Sequence, residues 1–397
     1  MPVRTRYIDA ALDGGGAYAG KSYFFLDGAY VRYDWTTDRV DLGPRSLAPW
    51  SLTGSFAAGV DGVLEGQAAY AGKVYFWKGA QYCRYDWATD TLDKAPTSTA
   101  AWHLPSPFDT GIDAALNGDG PYAGKGYFFK GTQYCRYDWP SDAADLGPAS
   151  LSAWSLPAPM ASGVDAALRG QGSYAGKGYF FKGAQYCHYE FATDSPGPAR
   201  SISDNWPGVA ELLQAGAATL VARRWVTAAQ TELAKVAAGT AAATSPVMVG
   251  LTAHFKSGWP AVLATIRKTF DDLAAVLDAM PARYQYRSHA GAMADHPTAG
   301  WTAATVPPAY AAGGTVTYTP NFLNFGPMCQ AAMAAHESVH IVDSASGTAA
   351  THVYEHAPGY ATQATSDAIH NASSYAMLAQ QCFFGVDERF GAGRPTE

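Results

Sequence analysis

The chain has 397 residues, 48% of them hydrophobic and 15% charged, with a formal net charge of −7. That length exceeds one ordinary core, so two domains are expected, and the acidic balance lacks the basic footprint of nucleic-acid binding. No apolar run approaches the ~20 residues that cross a bilayer. The first six residues, Met1 to Arg6, carry two arginines with no apolar stretch behind them, so no cleaved signal is expected. A cytoplasmic protein, or one exported by a signal-less route, fits this N-terminus.

Residues 1–207 are a repeat. Asp9, Asp61, Asp113 and Asp165 follow one another at a constant step of 52 residues. Tyr18, Tyr70, Tyr122 and Tyr174 open four copies of Tyr-Ala-Gly-Lys at the same step, and Trp50, Trp102, Trp154 and Trp206 close the four units. Between them, aromatic runs such as Tyr23-Phe24-Phe25 and Arg32-Tyr33-Asp34-Trp35 recur, separated by Gly-containing turns. Short aromatic strands with turn signals at a fixed period predict one antiparallel blade per repeat, and four blades must pack around a common axis to bury their faces.

An odd number of cysteines without a CxxC pair argues against a disulfide framework. Cys83, Cys135 and Cys187 stand where the first repeat has Val31, and so look like small apolar strand residues. Cys329 and Cys382 are either a pair or two buried thiols.

The order of these motifs resembles the hemopexin family, with photopexin-like repeats. The resemblance implies a four-bladed all-β propeller over 1–207. It further implies that Asp9, Asp61, Asp113 and Asp165 direct backbone carbonyls into a central channel able to hold an ion such as Ca²⁺ or Na⁺. The plainer reading is that these aspartates only hydrogen-bond the innermost strands. A protein partner or small ligand on the propeller is the corresponding expectation for binding.

From residue 208 the character changes. Apolar residues at helical spacing predict helices over 209–237 and 259–279, broken by a Gly/Ala/Thr/Ser/Pro stretch at 239–246. Polar, irregular sequence runs to about 313, then Val316 to Tyr318 predicts a short strand and Pro327 to Val342 a helix. That helix contains His336-Glu337-Ser338-Val339-His340. Two histidines four residues apart share one helical face and can hold one Zn²⁺, while Glu337, about 100° away, reaches a water polarised by the metal. Glu337 is thus the candidate base for hydrolysis of a peptide bond in a protein or peptide substrate.

Roughly residues 209–385 resemble the deuterolysin-type aspzincin peptidases, sharply only over 314–378. In that family the HExxH helix is followed by Gly-Thr-x-x-Asp-x-x-Tyr-Gly-Tyr and then by a helix with Asn-Ala-Asp-x-Tyr. This chain has Gly347-Thr348, then Tyr354-Glu355-His356-Ala357-Pro358-Gly359-Tyr360, then Asn371-Ala372-Ser373-Ser374-Tyr375. The resemblance implies a mainly α, zincin-like α+β domain with Glu355 as third zinc ligand, and His356, His352 and Asp343 as alternatives. Pro358 takes the place of the tyrosine that would help stabilise the tetrahedral intermediate, which leaves Tyr360 as the substitute. The strand from Thr315 to Phe322 resembles the family's edge-strand segment. The sequence therefore predicts a zinc endopeptidase with a propeller as docking module, an arrangement that would suit a toxin or effector. The competing reading is a ligand- or ion-binding propeller joined to a degenerate peptidase domain.

Overall fold

The computed structural model describes residues 4–279, 282–347 and 352–387. The chain divides into two compact units, residues 4–213 and residues from Gln214 onward. The division falls inside the helix Val209–Ala237, a few residues past the sequence boundary at 207/208.

The first unit is four antiparallel four-stranded blades, the last with a broken outer strand. Blade one runs Ala10–Asp13, Lys21–Leu26, Ala29–Asp34 and Arg39–Ser46, and the others repeat it. Phe24 faces Val31 across the central hairpin, as Phe76 faces Cys83, Phe128 faces Cys135 and Phe180 faces Cys187. The three repeat cysteines are therefore fully buried strand residues in the place of a valine. All five cysteines are free thiols.

Each innermost strand touches the next, and the fourth touches the first, so the ring is closed. The closing tryptophans fill the seams. Trp50 packs edge-on against Phe25 of its own blade at 5.7 Å and Phe76 of the next at 5.4 Å. Trp102 lies between Trp77 and Phe128, and Trp154 between Phe129 and Phe180. Trp206 joins Phe181 to Phe24, both at 5.4 Å, which seals blade four to blade one. Edge-to-face packing suits the ring quadrupoles and adds to the area each indole buries.

The four period aspartates serve their own blades. Their carboxylates accept the backbone N–H of Asp27, Gly79, Gly131 and Gly183 at 2.7–2.8 Å, pinning each central hairpin turn. Their own N–H groups donate to the carbonyls of Phe25, Trp77, Phe129 and Phe181 at 2.8 Å. Farther along the same inner strands, one repeat position carries Asp13, Glu65, Asn117 and Arg169, and all four line a small central cavity. Arg169 reaches Asp13 at 3.2 Å and Glu65 at 3.7 Å.

The second unit is mainly helical: Pro246–Phe255, Trp259–Asp278, His289–Asp295, Pro327–Ser346 and Ala372–Phe384 are its principal helices after Val209–Ala237. Trp259–Asp278 keeps an apolar face of Ile266, Phe270, Leu273 and Leu277, as its periodicity predicts. A three-stranded sheet corrects the sequence reading. Thr315–Tyr318 is its central strand, parallel to Tyr284–Tyr286 and antiparallel to Ala309–Ala312. The edge facing the helix of the HExxH motif is Ala309–Ala312, and Pro320–Asn324 forms a 3₁₀ turn. An alanine-rich strand carries little β signal, and the more β-prone Thr315–Tyr318 stands out in its place. Among the described residues no helix is long and apolar enough to cross a membrane.

Two outcomes test this architecture. Trp206→Ala removes the indole that joins the last blade to the first, and should lower propeller stability by about 3–5 kcal/mol, measured by denaturant unfolding of the full chain. Glu65, largely buried and then repelled by Asp13, is raised to about 7. The fold thus favours its neutral form; the associated stability is complete below ~4.5 and is lost as pH rises through about 7. Glu65→Gln should therefore match the parent at pH 4.5 and exceed it by about 1–3 kcal/mol at pH 8.5.

Candidate metal and catalytic site

The helix Pro327–Ser346 begins with proline at its first turn and stops at Gly347, whose φ of +73° closes the end through bonds to Asp343 and Ser344. Glycine adopts this left-handed geometry without cost, which makes it a stop signal. Ala331, Ala334, Ala335 and Val339 are buried, and the helix packs against Ala372–Phe384, Trp259–Asp278 and the edge strand Ala309–Ala312. Small side chains allow that close approach and enclose polar groups of the same helix, among them His336 and His340, each only 8% exposed.

Their Nε2 atoms face each other at 3.1 Å. Two nitrogens bound at ~2.05 Å to one tetrahedral zinc must stand ~3.3 Å apart, so the pair is spaced for a shared ion. Burial lowers His336 to about 3, with the neighbouring His340 and His352 adding to the effect. Burial and His352 lower His340 to about 4. Both rings are neutral lone-pair donors at neutral pH, the form a metal requires. His352 completes a triad whose ligand nitrogens all lie within 4.8 Å of one another, and its ring lies tilted by 34° at 4.4 Å from that of His340. His340 Nδ1 is buried without a hydrogen-bond partner among the described residues. This all-nitrogen donor set fits zinc.

Glu337 projects beside the pair. Burial raises its carboxyl to about 8, opposed by a hydrogen bond from the Ala311 backbone. It lines a cavity of about 130 Å³ with His336, Tyr354, Glu355 and Ser373, walled on the apolar side by Met333 and Met377 among others. The edge strand thus supplies a residue to the base and a wall, Ala309, to the cavity.

The remaining sequence candidates separate. Glu355 lines the cavity, but its carboxylate accepts a hydrogen bond from Ser373 Oγ at 3.2 Å, and the metal-spaced triad contains His352 in its place. His356 Nδ1 stands 3.9 Å from Glu355. Asp343 is buried one turn beyond His340, and burial raises it to about 6. Tyr360 lies away from the cavity: it is 1% exposed, its hydroxyl is 2.9 Å from Nδ1 of the buried His254, and His254 Nε2 meets Gln381 at 2.9 Å. Tyr360 serves a buried polar core. Thr348, part of the Gly-Thr motif, lies outside the described residues.

Sequence reasoning missed Tyr354. Its ring lies parallel to His336 at 5.6 Å and to His356 at 5.5 Å, it is 50% exposed, and it lines the cavity. Burial and the nearby Glu337 and Glu355 raise its phenol, which keeps it a donor at neutral pH. Counting the family motif from Gly347 would have reached it. Asn371 also matters: its amide donates to the Val353 carbonyl at 2.7 Å while its oxygen caps the last helix through Ser373 N–H. One side chain ties the segment carrying His352, Tyr354 and Glu355 to the helix start that carries Ser373.

No family model matches the chain. It is 32% identical over 122 residues to matrix metallopeptidase-21 of Danio rerio, a stretch amounting to 30% of this chain and 20% of that protein. The chain thus spans about a fifth of the length of that curated relative. Among solved structures it is similar to a hemopexin fold protein from cow pea, at 24% identity and a TM-score of 0.44, covering 51% of this chain and 96% of the other. It is also similar to a zinc peptidase from Grifola frondosa, at 20% identity and a TM-score of 0.30, covering 42% of this chain and 93% of that one.

Proposed function

We propose that the chain is a zinc-dependent peptidase whose metal is held by His336, His340 and His352, with Glu337 as general base. The observation that carries this reading is the pair of neutral, buried imidazoles facing each other at 3.1 Å, at the wall of a cavity that also holds a carboxylate and a phenol. Zinc at that place would supply Lewis acidity to a water and to a peptide carbonyl. Glu337 would accept the proton lost as the water attacks, then return it to the leaving amine. The Tyr354 hydroxyl would donate to the carbonyl oxygen as charge develops there. An extended substrate would lie along Ala309–Ala312, the sheet edge beside Glu337, where backbone pairing is open to a further strand.

The propeller is, in this proposal, the binding module. Two hollows at equivalent repeat positions, of about 270 and 250 Å³, each offer Tyr, Trp, Arg and Asp side chains between adjacent blades. They give a specific place for the small-ligand reading.

His336→Ala combined with His340→Ala should abolish stoichiometric zinc in the purified full chain; one zinc per chain in the double variant would put the site elsewhere. Glu337→Gln should keep zinc and lower cleavage of an unbiased peptide pool by about 10²–10⁴-fold. His352→Ala should weaken zinc more than Glu355→Ala, by metal-competition titration. Tyr354→Phe should lower kcat at least ~10-fold with zinc retained, whereas Tyr360→Phe should act on thermal stability.

A further inference from the structure

The structure assigns Ser373 and Glu355 to a hydrogen-bonded relay that orients His336 toward the metal position, so that Glu355 acts through His336 as a positioning residue. This inference rests on the metal-site part of the reading above.

The relay follows from atoms and their donor capacity. Ser373 Oγ lies 3.3 Å from His336 Nδ1 and donates to Glu355 Oε2 at 3.2 Å. A serine hydroxyl has one hydrogen. With that hydrogen committed to the carboxylate, Ser373 Oγ meets His336 as an acceptor, so Nδ1 carries the ring proton. A neutral imidazole protonated at Nδ1 leaves its lone pair on Nε2, the atom that faces His340 Nε2 at 3.1 Å. The polarity of the relay and the direction of the candidate metal agree.

The surroundings hold this geometry. Ser373 is 1% exposed, in the first turn of the helix Ala372–Phe384, whose cap Asn371 fixes the Val353 carbonyl. Glu355, two residues beyond Val353, has a side chain only 11% exposed. The same anchor therefore sets the distance from carboxylate to hydroxyl. A carboxylate behind a ligating histidine raises the basicity of the ring and fixes its tautomer, and losing such a partner typically weakens metal binding ~10–100-fold. Here the carboxylate does so through a hydroxyl. Glu355 belongs near the metal for this reason, and the ligand triad forms without it.

The test uses the full chain loaded with Zn²⁺ or Co²⁺, with Ser373→Ala, Glu355→Ala and the double variant. Each single variant should weaken zinc ~10–100-fold while the visible Co²⁺ ligand-field spectrum keeps its parental position and intensity, since the ligands are unchanged. The double variant should be no weaker than the worse single one, because both changes cut one path. Glu355→Gln, which keeps an acceptor for the hydroxyl, should recover part of the loss. A changed Co²⁺ spectrum in Glu355→Ala with parental affinity in Ser373→Ala would make Glu355 a direct ligand and overturn the relay. Additive losses, or parental affinity in both single variants, would overturn it as well. A parent that binds no metal defeats the metal site and the relay together. A parent that binds zinc with these couplings but cleaves no peptide defeats only the peptidase reading.

Discussion

The second unit is organised by the burial of two facing imidazoles on a helix that packs closely against its neighbours through alanine and valine. Removing a polar ring from water costs free energy unless something meets its nitrogens. His336 and His340 point their Nε2 atoms at one another, and burial keeps both uncharged. A shared cation satisfies both lone pairs at once, which no single hydrogen bond between neutral rings can do. The alanines that let the helix lie close to Ala372–Phe384 and the edge strand also bring Ser373, Glu355 and the Ala311 backbone to the two histidines and Glu337. Packing and chemistry share one cause.

In the propeller the governing constraint is closure. A repeat whose tryptophan is placed at its end leaves that indole to the seam with the next blade, and only a ring gives the last one a partner. Trp206 finds Phe24 because blade one returns to blade four. The period aspartates contribute by tying hairpin turns. The central cavity is lined by a position where four repeats carry four different side chains, and Arg169 answers two carboxylates there.

Legibility followed periodicity. The blades were readable because a 52-residue step recurs four times, and Val209–Ala237 and Trp259–Asp278 because apolar residues return every three or four positions. Helical spacing alone puts His336 and His340 on one face, as the structure has them. The segment from His352 to Tyr360 has no period, and what faces the site there depends on the tertiary anchor from Asn371 to Val353. The sequence alone therefore points to Tyr360 and Glu355, whereas the structure sets Tyr354 against His336 and His352 against His340. The strand Ala309–Ala312 escaped notice because its place is set by pairing with Thr315–Tyr318, which alanines do not advertise.

The most direct measurement of the central claim is anomalous diffraction at the zinc edge from crystals of the full chain grown with equimolar zinc. The account predicts one strong peak between Nε2 of His336 and Nε2 of His340, with His352 as the third protein ligand. A peak elsewhere in the chain, or none at those two nitrogens, would contradict it.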